Sequence, residues 1–359
     1  MSVRLYGRMN GWSSHAQVSK GFQWALSGAG VLAGVVAVDD EPDLDDEPPP
    51  GASARHGVFT GPVPAIGRMA HNSSHVHRYG MLAPNSNLVP ALMLAQYQEI
   101  CTELLAPSEW AKCVLSRLVD LPVTCVPHGL MPEFCLHEDL RKQAEQDRKD
   151  GQFRVVHLST SSRERKGTLQ LVGAWNQLVL GGELGCDCEL TLLLDAEAAV
   201  ALGDRIAEEG MELRRIKVMH RLEGGYGAGP ETMARFLSGF HVVCQPSRAE
   251  AFGMVPLEAR ACGVPVVATR CTGHAQHMPK HEWEDGCVFV DHGFDAPIDD
   301  MPGALAPLVD PGTLAEKLLE SYVHWKVLNA CAKSRSSSVR TAWSWQRQLA
   351  PFIRRMEER

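Results

Sequence analysis

The sequence predicts an α/β protein of two domains. A chain of 359 residues is long for one domain and suits two domains of about 150–180 residues each. Near the N-terminus, β-favouring residues at 3–6 and 31–38 flank a helix predicted over 19–27, which is the start of a βαβ unit. Residues 241–269 repeat the alternation as strand, loop, helix and strand. Alternation of this kind is typical of α/β proteins.

The composition is that of a globular chain, with 45% hydrophobic and 22% charged residues. No apolar run approaches the roughly 20 residues that a membrane span needs, and no signal peptide is recognisable, so we expect a cytoplasmic protein without a transmembrane segment. The 11 cysteines are scattered without a Cys-x-x-Cys pair, which favours reduced thiols over disulfides or structural zinc. A net charge of −8 argues against a general nucleic-acid binder but leaves room for a local basic groove.

Four segments of the first 167 residues stand out. A glycine-containing loop is predicted at 7–14, and the acidic, proline-rich stretch 39–51 predicts a surface loop. The charged stretch 138–150 predicts a linker, after which a strand at 153–158 opens the second domain. A basic turn then precedes a helix predicted over 168–180, and Lys166 at its entry can neutralise a diphosphate. The alternative for this turn is an ordinary solvated basic surface.

The segment 241–269 predicts an anion-binding helix N-terminus. The apolar strand ends at Pro246 and Ser247, and a helix is predicted over 254–262. Gly253 has no side chain, so a phosphate can approach the free backbone amides of Gly253, Met254 and Val255 at the positive end of the helix dipole.

Two carboxylates, Glu250 and Glu258, lie in this segment. Glu250 is in the loop and Glu258 is about one helical turn further in, so the two can hold opposite ends of an elongated ligand. Sugar hydroxyls are natural partners for groups that only accept hydrogen bonds. The alternative is a buried strand–helix–strand unit with two solvated glutamates.

The joint pattern resembles a known family. Residues 246–268 read Pro-Ser-Arg-x-Glu-x-Phe-Gly-x-x-x-x-Glu-Ala-x-Ala-x-Gly-x-Pro-Val-Val-Ala, which resembles the donor-site signature of the family 4 retaining glycosyltransferases. The resemblance implies the GT-B fold, in which two Rossmann-like domains face each other across a cleft. It also implies that Glu250 holds the transferred sugar, that Glu258 holds the nucleotide ribose and that Phe252 belongs to the donor site.

Other residues take roles from the same resemblance. Lys166 and Gly167 match the family's phosphate-binding loop, but Thr160 and Ser161 stand where its arginine usually lies, and Arg163 is the candidate substitute. The resemblance places Gly11 near the donor phosphates and Leu222 near the nucleotide base.

The resemblance extends to the domain organisation. Residues 83–134 are similar to the end of the family's N-terminal domain, with a Pro-Ser-x-Trp turn and a Val-Pro-His-Gly strand end. It implies an acceptor-side domain at 1–148, a nucleotide-sugar-binding domain at 149–338 and a helix at 339–359 that crosses back to the first domain.

Histidines and an Asp-x-Asp sequence complete the candidates. His15, His71, His75 and His77 are acceptor-side candidates, because histidine can donate to or accept from hydroxyls at neutral pH. The alternatives for 71–77 are a metal site and ordinary surface histidines. Asp43-Leu-Asp45 matches the Asp-x-Asp of metal-dependent glycosyltransferases, but a metal site needs carboxylates on a rigid strand end.

The resulting hypothesis is a retaining, metal-independent glycosyltransferase without a cofactor, which moves a hexose-like unit from a nucleoside diphosphate sugar to a hydroxyl acceptor. The acceptor can be a glycan, a lipid-linked molecule, a small molecule or a nucleic acid. The alternatives are a GT-B nucleotide-sugar epimerase or phosphorylase, and a catalytically inactive nucleotide-sugar-binding protein.

Overall fold

The computed structural model describes residues 1–9, 14–38, 54–60, 75–159, 163–220, 229–298 and 302–359. The chain forms two compact units, one of residues 1–131 with 342–359 and the other of residues 132–341. Each unit contains a six-stranded sheet whose paired strands all run parallel. Within the described ranges, no helix is both long enough and apolar enough to cross a membrane.

The sheet of the first unit has the order β2-β1-β3-β4-β5-β6. Its strands are β1 (Val3–Gly7), β2 (Leu32–Ala37), β3 (His56–Phe59), β4 (His77–Met81), β5 (Glu103–Ala106) and β6 (Val123–Cys125). Its helices are α1 (Ser14–Gly28), α2 (Ala91–Ile100), α3 (Glu109–Leu115) and, from the end of the chain, α12 (Trp345–Glu357).

Helix α12 is part of the core of the first unit. It buries one face, consisting of Trp345, Leu349, Phe352, Ile353 and Met356. Each such side chain stabilises the fold by roughly 1.5–3 kcal/mol when it leaves water. The Trp345 ring lies so close to α1 that a Cβ atom on Gly21 would be 2.0 Å from it, so this contact requires glycine.

The sheet of the second unit has the order β12-β11-β10-β7-β8-β9. Its strands are β7 (Phe153–Ser159), β8 (Cys188–Leu194), β9 (Ile216–Met219), β10 (Val242–Gln245), β11 (Val266–Thr269) and β12 (Cys287–Val290), and an antiparallel ribbon follows as β13 (Asp295–Pro297) and β14 (Leu305–Pro307). Its helices are α4 (Glu138–Lys149), α5 (Arg163–Lys166), α6 (Thr168–Leu180), α7 (Ala196–Glu208), α8 (Pro230–Ser238), α9 (Met254–Ala261), α10 (Pro311–Val323) and α11 (Trp325–Ala342).

The strand order of this unit reverses at β7. The chain adds β8 and β9 on one side of β7 and then adds β10, β11 and β12 on the other side. A reversal of this kind leaves a crevice outside the carboxyl ends of the two central strands, because the connections leave in opposite directions. The carboxyl ends of β7 and β10 are therefore the part of this sheet where a ligand is expected.

The stretch 138–150 corrects one prediction. Instead of a linker it forms helix α4, whose Ala144 and Arg141 are fully buried. The Arg141 guanidinium donates to the carbonyl oxygens of Ser238 and Phe240 and to the side chain of Asn329. The charged sequence predicted a solvent-exposed segment because the hydrogen-bonding partners of Arg141 lie 97 to 188 positions further along the chain.

Candidate functional site

The loop between β10 and α9 forms the centre of the candidate site. It begins at Pro246, after the buried strand, and ends at Gly253, whose φ of 81° lies in the left-handed region that favours glycine. No side chain among the described residues caps the N-terminus of α9. The first-turn amides, including those of Met254 and Val255, therefore remain available to an anion in front of the helix.

Glu250, at the middle of this loop, is paired with two cations of the preceding turn. Lys166 Nζ contacts Glu250 Oε1, and Arg165 Nη1 lies 3.2 Å from the same oxygen. Burial alone would raise the pKa of Glu250, but Lys166 and then Arg165 outweigh it and hold this pKa well below its usual range. Glu250 is thus a buried carboxylate that stays ionised at neutral pH.

Arg248 fastens the loop to two neighbouring segments. Its fully buried guanidinium donates to Glu164 in α5 and to carbonyl oxygens of the β13–β14 ribbon, those of Ala296, Pro297, Ala306 and Pro307, at 2.9–3.1 Å. The Arg248 backbone N–H donates to the Arg165 carbonyl at 2.8 Å. Of these six donated bonds, the two to Glu164 and to the Arg165 carbonyl fix the turn that carries Lys166 relative to the loop that carries Glu250.

A strained turn supports the backbone of Glu250. Thr272 has a φ of 48°, which is unfavourable for a β-branched residue. Its Oγ1 accepts from the Glu250 N–H at 3.0 Å, and the N–H of Gly273 donates to the Glu250 carbonyl at 2.8 Å. Strain of this kind persists only where surrounding contacts compensate for it, and it is frequent at functional sites.

Glu258 lies on α9 in a different environment. Its side chain is buried, and the described residues offer its carboxyl group neither a hydrogen bond nor an ion pair. Burial raises the pKa of Glu258 to about 8. A buried carboxyl group without a partner is costly unless a ligand supplies donors, so Glu258 has unused capacity to bind hydroxyl groups.

Two serine hydroxyls add to this capacity. Ser159 is the last residue of β7, and Ser247 follows β10. Both hydroxyls are buried and make no hydrogen bond in the part of the chain that the structure describes. Unpartnered polar groups therefore concentrate at the carboxyl ends of the two central strands.

Three buried residues of this site were not predicted from the sequence: Arg165, His274 and His277. His277 Nε2 lies 2.8 Å from the Gly253 carbonyl oxygen and therefore carries the proton that it donates. His274 Nδ1 donates to the Thr269 carbonyl at 3.2 Å, and the His274 ring fills the space where a Cβ atom of Gly253 would lie. Burial is the main reason that the pKa of His274 falls to about 4, so this ring is neutral at pH 7. The only available sequence signal was their nearness to predicted site residues.

Several predicted site residues cannot be placed. Gly11, Leu222 and His71, as well as Asp43 and Asp45, lie outside the described residues. His15 lies in the first turn of α1 and Arg163 is the first residue of α5, but the structure does not describe the side chain of either residue.

The surroundings of His75 and His77, two of the acceptor-side candidates, are contacts within the first unit. His75 is buried with both ring nitrogens occupied, Nε2 by the Tyr6 hydroxyl at 2.8 Å and Nδ1 by the Ala54 carbonyl at 2.5 Å. His77 begins β4, where its ring stacks on His56 with centroids 5.1 Å apart. Both histidines therefore lie at the amino-terminal edge of the parallel sheet, whereas ligands of such sheets bind at the carboxyl ends.

Among the described residues, no metal site is found around these histidines. The described residues contain no group of three or more histidine, cysteine, aspartate or glutamate side chains placed to hold a metal ion. Nearby, the Arg78 side chain donates to the carbonyl oxygens of Ile100 and His75 in its own unit.

The features of the second unit define a class of protein. A parallel sheet with a strand-order reversal, an uncapped helix N-terminus, a cationic turn and two buried carboxylates form an arrangement suited to a phosphorylated ligand that also carries hydroxyl groups.

Comparison with known proteins finds similarity to glycosyltransferases in this part of the chain. Residues 152–321 match the family of glycosyl transferases group 1, and this range contains Lys166, Glu250 and Glu258. A D-inositol 3-phosphate glycosyltransferase from Kribbella flavida is 44% identical over 73 residues, which are 20% of this chain and 16% of that relative. The aligned segment thus spans less than a fifth of the relative. The predicted resemblance to glycosyltransferases is confirmed for this part of the chain.

Solved structures of low sequence identity share the fold. Sucrose-phosphate synthase from Thermosynechococcus elongatus superposes with a TM-score of 0.71 at 15% identity, covering 100% of this chain and 98% of that one. Anabaena HepE in complex with UDP and glucose superposes with a TM-score of 0.67 at 14% identity, covering 100% of both chains. The predicted α/β fold with two Rossmann-like domains, as in GT-B glycosyltransferases, is confirmed.

Proposed function

We propose that the protein is a retaining glycosyltransferase that moves a sugar from a nucleoside diphosphate sugar to a hydroxyl acceptor. The observation that carries this proposal is the contrast between two buried carboxyl groups in one loop–helix segment. Glu250 is kept ionised by two cations, whereas Glu258 has no partner among the described residues. One ligand that supplies hydroxyl groups at two separate points would satisfy both.

Each of these groups binds a different part of the donor. The first-turn amides of α9 and the charge of Lys166 bind the diphosphate, Glu258 accepts hydrogen bonds from the ribose, and Glu250 accepts them from the transferred sugar. The binding of UDP and glucose by the similarly folded HepE makes UDP-glucose a suitable first probe.

Charge stabilisation is the main catalytic contribution of these residues. As the glycosidic bond breaks, negative charge develops on the departing diphosphate. This charge lies next to Lys166 and the backbone N–H groups of Met254 and Val255. The ion pairs of Glu250 favour a role in holding the sugar over attack on it, because a carboxylate bound to two cations is a weak nucleophile. Retention, with the leaving phosphate helping to deprotonate the acceptor, follows from the resemblance to the retaining family.

We also propose that neither a divalent ion nor a resident cofactor is needed. The helix terminus and the cationic turn supply positive charge at the place where a metal ion would otherwise neutralise the diphosphate. Helix amides and lysine provide this charge without further ligands.

The test begins with binding and continues to turnover. The thermal stability of the protein is measured with UDP-, GDP- and ADP-sugars, where a ligand present at one hundred times its Kd should raise the stability by roughly 2.7 kcal/mol. The stabilising donor is then incubated with glycan, lipid-linked, small-molecule and nucleic-acid acceptors, and the anomeric configuration of the product is determined by NMR. Stabilisation by none of the donors, or an inverted product, would contradict the proposal. Conversion of the donor without any acceptor would instead indicate an epimerase.

A further inference from the structure

Two neighbouring cations share one carboxylate oxygen in the free protein. Arg165 and Lys166 are consecutive residues of α5, and both approach Oε1 of Glu250. One carboxylate carries a single negative charge, so this small buried cluster holds a net positive charge before any ligand arrives. The two cations differ in how firmly they are held.

Arg165 is anchored by groups other than the carboxylate. Its Nη1 donates to the Ala249 carbonyl at 2.6 Å, its side chain is almost fully buried, and its own carbonyl accepts a hydrogen bond from the backbone N–H of Arg248. A guanidinium in this position cannot turn away without leaving the Ala249 carbonyl unpaired. Arg165 is therefore fixed beside Glu250.

Lys166 is held less firmly than Arg165. Within the described ranges, Glu250 is the hydrogen-bonding partner of its ammonium group. Its flexible four-carbon stem allows the charge to turn to another anion at little cost. A diphosphate at the N-terminus of α9 would be such an anion.

Removal of Lys166 from Glu250 would leave a buried carboxylate in need of a counter-charge. Among the described residues, the titratable and charged groups that face Glu250 are Lys166, Arg165, His157, His274 and Cys271. Burial is the main cause that lowers the pKa values of His157 and His274 to about 4 and raises the pKa of Cys271 to about 11, so these three groups are neutral at pH 7. Once Lys166 has turned away, Arg165 is the remaining cation of this set.

We propose that Arg165 is a positioning residue that holds Glu250 ionised and in place for the sugar while Lys166 pairs with the diphosphate of the donor. The inference rests on the proposed function and gives the two consecutive cations separate tasks. It also accounts for the buried position of Arg165, since a residue that left the carboxylate for the phosphate would not need the Ala249 anchor.

The test counts the protons that are exchanged when UDP binds. Isothermal titration at pH 7 in two buffers of different ionisation enthalpy gives this number for the parent, for Arg165→Met and for Lys166→Met. UDP binding to the parent should leave Glu250 unprotonated. In Arg165→Met, UDP should draw Lys166 away and leave Glu250 without a cation, so most of one additional proton should be taken up. Lys166→Met keeps Arg165 and should match the parent in proton count while binding UDP more weakly.

Two further variants separate charge from packing. Arg165→Gln keeps a donor for the Ala249 carbonyl but removes the charge, so it should take up the additional proton as Arg165→Met does. Arg165→Lys keeps the charge and should not. Arg214→Met removes an exposed arginine from the same unit and should behave as the parent in every respect.

The outcomes distinguish this inference from the proposed function. If Arg165→Met and Arg165→Gln bind UDP with the proton count of the parent, Arg165 has no part in keeping Glu250 ionised. If Lys166→Met takes up the same additional proton, Arg165 and Lys166 do not have the separate tasks proposed for them. If the parent and Arg165→Lys bind neither UDP nor any other nucleoside diphosphate, the proposed function itself is wrong.

Discussion

Two buried carboxylates, one in each unit, are each held by two cations but differ in their roles. Glu103 accepts from Arg355 at 2.5 Å, from Arg359 at 2.7 Å and from the Thr124 hydroxyl at 2.6 Å. Glu250 is held by Lys166 and Arg165. An ion-pair cluster is therefore not by itself the mark of a functional site.

The two clusters differ in where they lie on their sheets. Glu103 is the first residue of β5, at the amino-terminal edge, and both of its arginines come from the end of the chain, so it fastens α12 to the sheet. Glu250 follows the carboxyl end of β10, three residues before an uncapped helix N-terminus. Around Glu103, the described polar groups bind one another. Around Glu250, the described residues leave the amides of α9 and the carboxyl group of Glu258 available for a ligand. Position at the carboxyl ends and unused binding capacity distinguish a site from a structural cluster.

The largest expected effect comes from Lys166→Met. This change removes the charge that stabilises the departing diphosphate but keeps much of the apolar stem, so kcat should fall by about 10²–10³-fold with a smaller change in donor affinity. Steady-state kinetics with the stabilising donor measure both quantities. Lys317→Met is the matched control, since Lys317 is also ion-paired, with Glu282 and Glu320, but lies outside the site. An unchanged kcat in Lys166→Met would show that the diphosphate does not leave from a site next to Lys166.

The next effect separates the two glutamates of the site. Glu258→Ala removes the acceptor for the ribose hydroxyls and should weaken binding of the free nucleotide by about 10–100-fold, the equivalent of one or two hydrogen bonds. Glu250→Ala should spare free-nucleotide affinity while it lowers transfer, because the partner of Glu250 is the sugar. Calorimetric titration with UDP compares the two variants. Equal losses of nucleotide affinity would contradict this division of roles.

A smaller effect, on stability alone, is expected from Glu103→Gln. The two arginines that it leaves behind are about one-third exposed and can turn to water, so the free energy of unfolding should fall by about 1–3 kcal/mol. Urea unfolding measures this loss, and kcat per folded molecule should be that of the parent. Glu145→Gln, which affects a partly exposed pair with Lys333, should change stability by less than about 1 kcal/mol. Lost turnover in folded Glu103→Gln would show that this cluster is more than structural.

The smallest effect is expected from removing divalent ions. Because the diphosphate is proposed to be neutralised by helix amides and Lys166, treatment with EDTA should leave kcat within about twofold of its starting value. Deletion of residues 41–50, which contain Asp43 and Asp45, should also leave the protein active. Complete loss of activity in EDTA that manganese restores would place a metal ion in the reaction.

Much of the second unit could be predicted from the sequence because its signals are local. The helix predicted over 254–262 is found at Met254–Ala261, and the glycines at both of its ends, Gly253 and Gly263, have positive φ. Lys166 and Glu250 were expected near one ligand and are in direct contact. Short-range backbone preferences and the family-like spacing were sufficient for these features.

Other features could not be predicted because they depend on distant contacts. The charged residues 138–150 predicted a linker, and their helix became visible only through partners such as Asn329. His75 and His77 were considered for the acceptor, but strand pairing places them at the edge of the sheet away from the carboxyl ends. The sequence analysis considered Arg163 beside Lys166 but not Arg165, which the structure places against Glu250.

The sequence by itself determined the α/β alternation, the anion-binding helix start and the candidate residues Lys166, Glu250 and Glu258. Only the tertiary structure decided their electrostatic states. Glu250 and Glu258 are eight positions apart and chemically identical, yet one has its pKa lowered by cations 84 and 85 positions away and the other has its pKa raised to about 8 by burial alone. A carboxyl group's charge depends on the solvent and the ions around it, and those neighbours are set by the packing of segments that are remote in the chain.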